Sequence, residues 1–137
     1  MGTKLLHRWR TVRNWSIPLK TIGIIGSRRR NTQPDLELVQ AAFLEVYEDG
    51  DQIVSGGCPT GADSFAEWIA KKHQIPITIY YAPWNKLGKR AGFARNTDIA
   101  EDSDILIACV APDRTGDTED SISKFLSRLP SGNVILV

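Results

Sequence analysis

Short apolar runs alternate with amphipathic stretches along nearly the whole chain, and this alternation constrains the fold more than any other feature. Thr21–Gly26 (TIGIIG), Gln52–Ser55, Pro76–Tyr81 (PITIYY), Ile105–Val110 (ILIACV) and Asn133–Val137 are brief segments bounded by turn-forming or polar residues. Such runs read as strands buried on both faces of a parallel sheet. After the first of them, Leu36, Leu38, Val39, Ala42, Phe43, Val46 and Tyr47 recur at helical spacing, with Pro34 near the start and Gly50 beyond the end. Phe65, Ala66, Trp68, Ile69 and Ala70 form the apolar face of a second helix. Lys71, Lys72 and His73 suit its carboxyl end through the helix dipole. Further helices are expected near Phe93–Asp102 and over Ser121–Leu129. The fold class is therefore α/β, a Rossmann-like parallel sheet of about five strands with helices on both faces. Right-handed crossovers place every strand-to-helix loop on one edge of the sheet, where folds of this kind hold ligands.

A length of 137 residues suits one domain. Residues 21–137 carry the alternating pattern, and residues 1–20 read as a basic extension, with a short helix and a break at Pro18. Charge is unevenly spread. Residues 1–30 hold eight Lys or Arg and no acid, whereas residues 31–137 hold nine basic and sixteen acidic residues. A basic arm suits nucleic acid or another anionic surface, but the acidic body disfavours a broad phosphate-backbone footprint. The arm also suits packing on its own body or on a second copy, and a homo-oligomer is expected. Cys58 and Cys109 show no CxxC or Cys/His spacing, so neither a disulfide framework nor a metal site is expected. No apolar run reaches the roughly 18 residues of a membrane span. Met1–Lys20 has no apolar signal core, and the expected compartment is the cytoplasm.

Four segments carry candidate chemistry. In Gly26-Ser27-Arg28 the glycine lets a ligand approach the backbone, the serine offers a hydroxyl and the arginine a forked donor for phosphate or carboxylate. Gly56, Gly57 and Gly61 flank a turn that opens the second helix, where free N–H groups and the helix dipole favour an anion. Asp63 reads either as an acceptor for a ribose hydroxyl or as an ordinary first-turn acid. Trp84 suits stacking on a base, or else the core, while Lys89, Arg90 and Arg95 supply charge near Gly92 and Asn96. Thr115, Gly116, Asp117, Thr118, Glu119 and Asp120 open the last helix, as caps or as groups acting on a ribose or a water. There is neither a Walker lysine pattern nor GxGxxG, and no cofactor is expected.

In the order GSR, SGGCPTGAD, W–GKRAG–RN and a late GD/T loop, these motifs resemble the SLOG superfamily, Rossmann-like proteins related to the Lonely Guy phosphoribohydrolases and to DNA-processing protein A. The resemblance spans about residues 21–137. It implies a nucleotide-type ligand and, for the Lonely Guy enzymes, hydrolysis of the N-glycosidic bond of a nucleoside monophosphate by an arginine and a glutamate. On that likeness Arg95 takes the place of the catalytic arginine and Asn96 stands where those enzymes have lysine. Asp117 replaces a threonine, and Asp120, with Glu119 beside it, replaces the glutamate. An aspartate is one methylene short, and a misplacement of about 1 Å is enough to lose roughly a hundredfold in rate. Binding of a nucleotide or ribose-phosphate ligand, as a sensor or ligand-binding module, is accordingly the first expectation. A phosphoribohydrolase with Arg95, Glu119 and Asp120 as catalytic residues is the alternative, and a nucleic-acid module ranks third.

Overall fold

The computed structural model describes residues 3–7 and 20–137 apart from Pro83, and the side chains of all of these except residues 3–7, Trp84, Lys86 and Lys89. Five parallel strands form the body of the sheet: β2 (Thr21–Gly26), β3 (Gln52–Gly56), β4 (Ile77–Tyr81), β5 (Ile105–Cys109) and β6 (Asn133–Leu136). A sixth, β1 (Thr3–His7), lies antiparallel on β4, so the order across the sheet is β1-β4-β3-β2-β5-β6. The expectation that residues 1–20 form an extension with a short helix therefore does not hold for Thr3–His7. An uncovered β4 edge would present unpaired N–H and C=O groups, and β1 pairs them. Residues 8–19 lie outside the described residues.

Helices α1 (Gln33–Val46), α2 (Ala62–His73), α4 (Ala91–Asp102) and α5 (Asp117–Arg128) follow strands β2, β3, β4 and β5, with the short α3 (Trp84–Leu87) and a 3-10 turn, Gly88–Arg90, ahead of α4. Alternation within the strands divides the core. Ile22, Ile24, Ile53, Ile77 and Ile79 pack with Phe43 of α1 and Phe65 and Ile69 of α2 on one face. Ile25, Val54, Leu106 and Ala108 pack with Ile99 of α4 and Ile122 and Phe125 of α5 on the other. Burying each such large side chain contributes about 1.5–3 kcal/mol, so two full apolar layers outweigh the polar loops at the sheet edge. No described helix is long and apolar enough to cross a membrane.

Local signals explain the helix starts. Thr32 caps α1: its side chain accepts from the Asp35 N–H while the Asp35 carboxylate accepts from the Thr32 N–H, a capping box followed by Pro34 in the first turn. Helix α5 begins at Asp117, a full turn before the expected Ser121, because Gly116 at φ 106° makes the break and Thr118 and Ser121 already face inward. The segment expected as a loop after β4 is helical from Trp84 to Arg90.

The chain runs from β2 outward through β3 to β4 and then returns to place β5 on the other side of β2. The order of strands therefore reverses between β2 and β5, and at their carboxyl ends the two following loops diverge and leave a crevice.

Candidate functional site

A cleft of about 290 Å³ opens at this reversal point. Its walls come from the turn after β2 (Gly26, Ser27, Arg28 and Arg29), the turn after β3 (Cys58 and Asp63), helix α4 (Arg95, Asn96 and Ile99) and the start of α5 (Thr115 to Thr118, with Ser121). Four segments far apart in sequence thus meet where the topology sends them.

The first turn is held by close packing. A Cβ at Gly26 would lie 2.7 Å from the Ala62 Cβ and 2.8 Å from the Cys109 Cβ, so only glycine fits between α2 and β5. The Ser27 N–H donates to the Cys109 carbonyl at 2.9 Å, continuing the β2–β5 pairing by one residue. Arg29 forks onto Asp113 at 2.9 and 2.7 Å and also donates to the Thr115 hydroxyl, tying the turn after β2 to the loop after β5. The neighbouring Arg28 is exposed and has no hydrogen bond or ion pair among the described residues.

The glycine turn after β3 is arranged differently from an open phosphate cradle, because its amides are taken up internally. The Cys58 N–H donates to Asp63 Oδ2 at 3.2 Å, while Ser55 Oγ donates to Oδ1 at 3.1 Å. The Gly61 N–H donates to Asn31 Oδ1 at 2.8 Å. Gly57 is covered by the Tyr81 ring, whose atoms come within 2.2 Å of where a Cβ would stand. The anion held by this turn is thus the protein's own Asp63. Burial pushes the Asp63 carboxyl above the usual carboxylate range, and the charge of Arg95 and the nearby donors pull against that push.

Arg95 is 9% exposed and lines the cleft, yet among the described residues its guanidinium makes no hydrogen bond. A buried guanidinium without acceptors is costly, and a ligand anion is one way of satisfying it. Beside it Asn96 Nδ2 donates to the Asp117 carbonyl at 3.3 Å and to Asp120 Oδ2 at 3.2 Å, which fixes the start of α5 against α4. Gly116 at the N-cap supplies no side-chain acceptor, so the first amides of α5 are uncapped where they border the cleft.

Of the residues singled out by sequence, the cleft gathers Gly26, Ser27, Arg28, Asp63, Arg95, Asn96, Thr115, Gly116, Asp117 and Thr118. It leaves out Gly56, Gly57 and Gly61, which form the packing beneath it, and the exposed Arg90. The two carboxylates expected to act on a ribose are engaged elsewhere. Glu119 accepts two hydrogen bonds from Arg114 at 2.8 and 2.9 Å, and Asp120 is shared between Asn96 and Lys124. Trp84 starts α3 and Lys89 sits in the 3-10 turn, but their side chains lie outside the described residues. Sequence reasoning did not single out Arg29, Cys58, Ile99 or Ser121. Arg29 was legible in the run Arg28-Arg29-Arg30, whereas Ile99 and Ser121 follow from which helix face meets the crevice and Cys58 from the path of the turn after β3. No group of three or more His, Cys, Asp or Glu suited to a metal ion occurs among the described residues.

No family model matches the chain, and no curated protein matches it. Among solved structures it is similar to DNA processing protein A from Helicobacter pylori, described for its single-stranded DNA binding mode. The TM-score is 0.58 with 19% sequence identity over 87% of this chain, which spans 65% of the length of that one. The likeness establishes a shared Rossmann-like arrangement.

Proposed function

We propose that the protein binds a nucleotide or ribose-phosphate ligand in the crevice between β2 and β5. The observation that carries this reading is the buried Arg95 guanidinium, facing the cleft with no hydrogen-bond acceptor among the described residues. Arg28 stands opposite with its fork free, Ser27 offers a hydroxyl, and the uncapped start of α5 adds oriented amides. Together these suit a phosphate approached from two sides, with Ile25 and Ile99 offering an apolar surface to a sugar or base. A volume of about 290 Å³ is at the small end of ligand pockets, which favours one nucleotide or a sugar phosphate over a dinucleotide. The phosphate contact rests on Arg95 of α4, the first turn and the start of α5, not on the glycine turn after β3. The order of motifs together with the fold also supports membership of the SLOG superfamily.

Binding is favoured over hydrolysis because Glu119 and Asp120 are ion-paired away from the cleft. A second reading, single-stranded DNA, is supported by the structural neighbour's described binding mode and by the basic residues before β2.

A thermal-shift series with AMP, ADP-ribose, ribose 5-phosphate and a 5′-phosphorylated oligothymidine separates these readings. A specific ligand at a hundred times its Kd stabilises the fold by about 2.7 kcal/mol. Stabilisation by a small phosphate ligand is expected. Stabilisation by the oligonucleotide alone would favour the second reading, and none from any member would remove the first. Release of free base from AMP above background would restore the hydrolase.

A further inference from the structure

Arg95 and Asp63 meet over a residue that has no side chain. A Cβ at Gly56 would lie 2.6 Å from Asp63 Oδ2, 3.0 Å from Arg95 Cδ and 3.3 Å from Arg95 Nε. The aspartate and the arginine therefore share the space that any other residue at position 56 would fill. They interact through charge, yet no ion pair closes between them.

The reason lies in how Asp63 is held. Its carboxylate accepts from the Ser55 hydroxyl at 3.1 Å and the Cys58 N–H at 3.2 Å. Ser55 is fully buried, and its single hydroxyl proton is shared between that carboxylate and the Ile24 carbonyl 2.5 Å away, so this mount is fixed to two central strands. A carboxylate with few other donors would draw the guanidinium into a bidentate pair and consume its fork. One already held by the Ser55 and Cys58 donors offsets the buried positive charge from a short distance and leaves the N–H groups of Arg95 unspent.

We infer that Asp63 is a positioning residue, which holds the Arg95 guanidinium charged and aimed into the cleft while the Ser55 and Cys58 donors keep it from capturing that fork. This rests on the reading of the cleft as an anion site and names the device that keeps the site ready. Asparagine in its place lacks the charge and turns an amide towards the amide of Cys58.

The test has a readout that needs no ligand. In the 15N spectrum of the free protein, the Arg95 Nε–Hε resonance, assigned by its loss in Arg95→Met, is expected to be sharp. In Asp63→Asn it is expected to broaden or vanish while the backbone amide spectrum persists. AMP binding is expected to weaken about tenfold or more in Asp63→Asn and to show no further loss when the same change is made in the Arg95→Met background. Should Asp63→Asn fail to fold, Ser55→Ala serves. Freeing Oδ1 is expected to shift the Arg95 resonance as the fork is drawn to Asp63, and to weaken AMP severalfold. An Arg95 resonance unaltered in the folded variant, or an AMP loss of equal size with and without Arg95, would overturn the assignment. If the wild-type protein binds no AMP, the ligand reading fails while the spectrum of the free protein still decides the role of Asp63.

Discussion

Gly61 lies against the main chain of Ser27, so close that a Cβ on it would stand 2.8 Å from the Ser27 carbonyl oxygen. Its φ of 78° is also one that side-chain-bearing residues rarely adopt. The glycine is thus a spacer that lets the turn after β3 dock beneath the turn after β2. Gly61→Ala is expected to lower stability by about 2 kcal/mol or more, adding backbone strain to a clash with main chain that cannot yield. Chemical denaturation measures the loss. Ligand affinity should fall with it, because Ser27 and Arg28 ride on the displaced segment.

Gly56→Ala separates packing from binding in a different way. The added methyl group would meet Asp63 Oδ2 and Arg95 Cδ, the two side chains that set charge at the cleft floor. Overpacking of this kind costs about 1–3 kcal/mol. The expected signature is a modest loss of thermal stability with a disproportionate loss of ligand affinity, read by calorimetric titration.

Glu119→Gln distinguishes a binding protein from a hydrolase. Glu119 faces Arg114 on the outside of α5 and does not line the cleft. The substitution is expected to leave ligand affinity and the unfolding midpoint unchanged. A loss of affinity, or the loss of a measurable release of free base, would return Glu119 to the site.

The alternation of strands and helices made the sheet legible, and β2, Thr21–Gly26, falls where the apolar run and its glycine place it. The edge strand Thr3–His7 was not legible, because its pairing with β4 gives it a strand's geometry without the apolar alternation that marks a buried one. Arg28 was legible as a forked donor beside the glycine that ends β2, and Arg95 as charge in the basic segment after β4 and through the family likeness. The fate of the glycine turn was hidden. Whether amides point at a ligand or at Asp63, seven residues along from Gly56, depends on torsions that residue types do not encode. Glu119 and Asp120 illustrate the same limit, since neighbours on a helix diverge by about 100° and only the packing of α5 on α4 decides that neither lines the cleft.

The start of α1 predicts a pH effect. The Asp35 carboxyl is held below its ordinary range: burial raises it, but the hydrogen bonds from Arg30 and Thr32 and the Arg30 charge outweigh that. A depressed folded value means that this group contributes stability above the unfolded carboxylate range and loses it as pH falls through the lower folded value. Wild-type stability should therefore decline on acidification below about pH 4, and Asp35→Asn should flatten that part of the curve. Thr32→Ala, which removes the reciprocal cap, should lower stability by about 1 kcal/mol at neutral pH.

The central claim is that a phosphate-bearing ligand satisfies the Arg95 guanidinium in the crevice between β2 and β5. Isothermal titration of ribose 5-phosphate into wild-type protein and into a folded Arg95→Met variant tests it most directly. The account predicts saturable binding to the wild type, weakened by tenfold or more in the variant, on the order of a lost charge-assisted hydrogen-bonded pair. Equal affinity in both proteins, or no binding to the wild type at millimolar ligand, would contradict it.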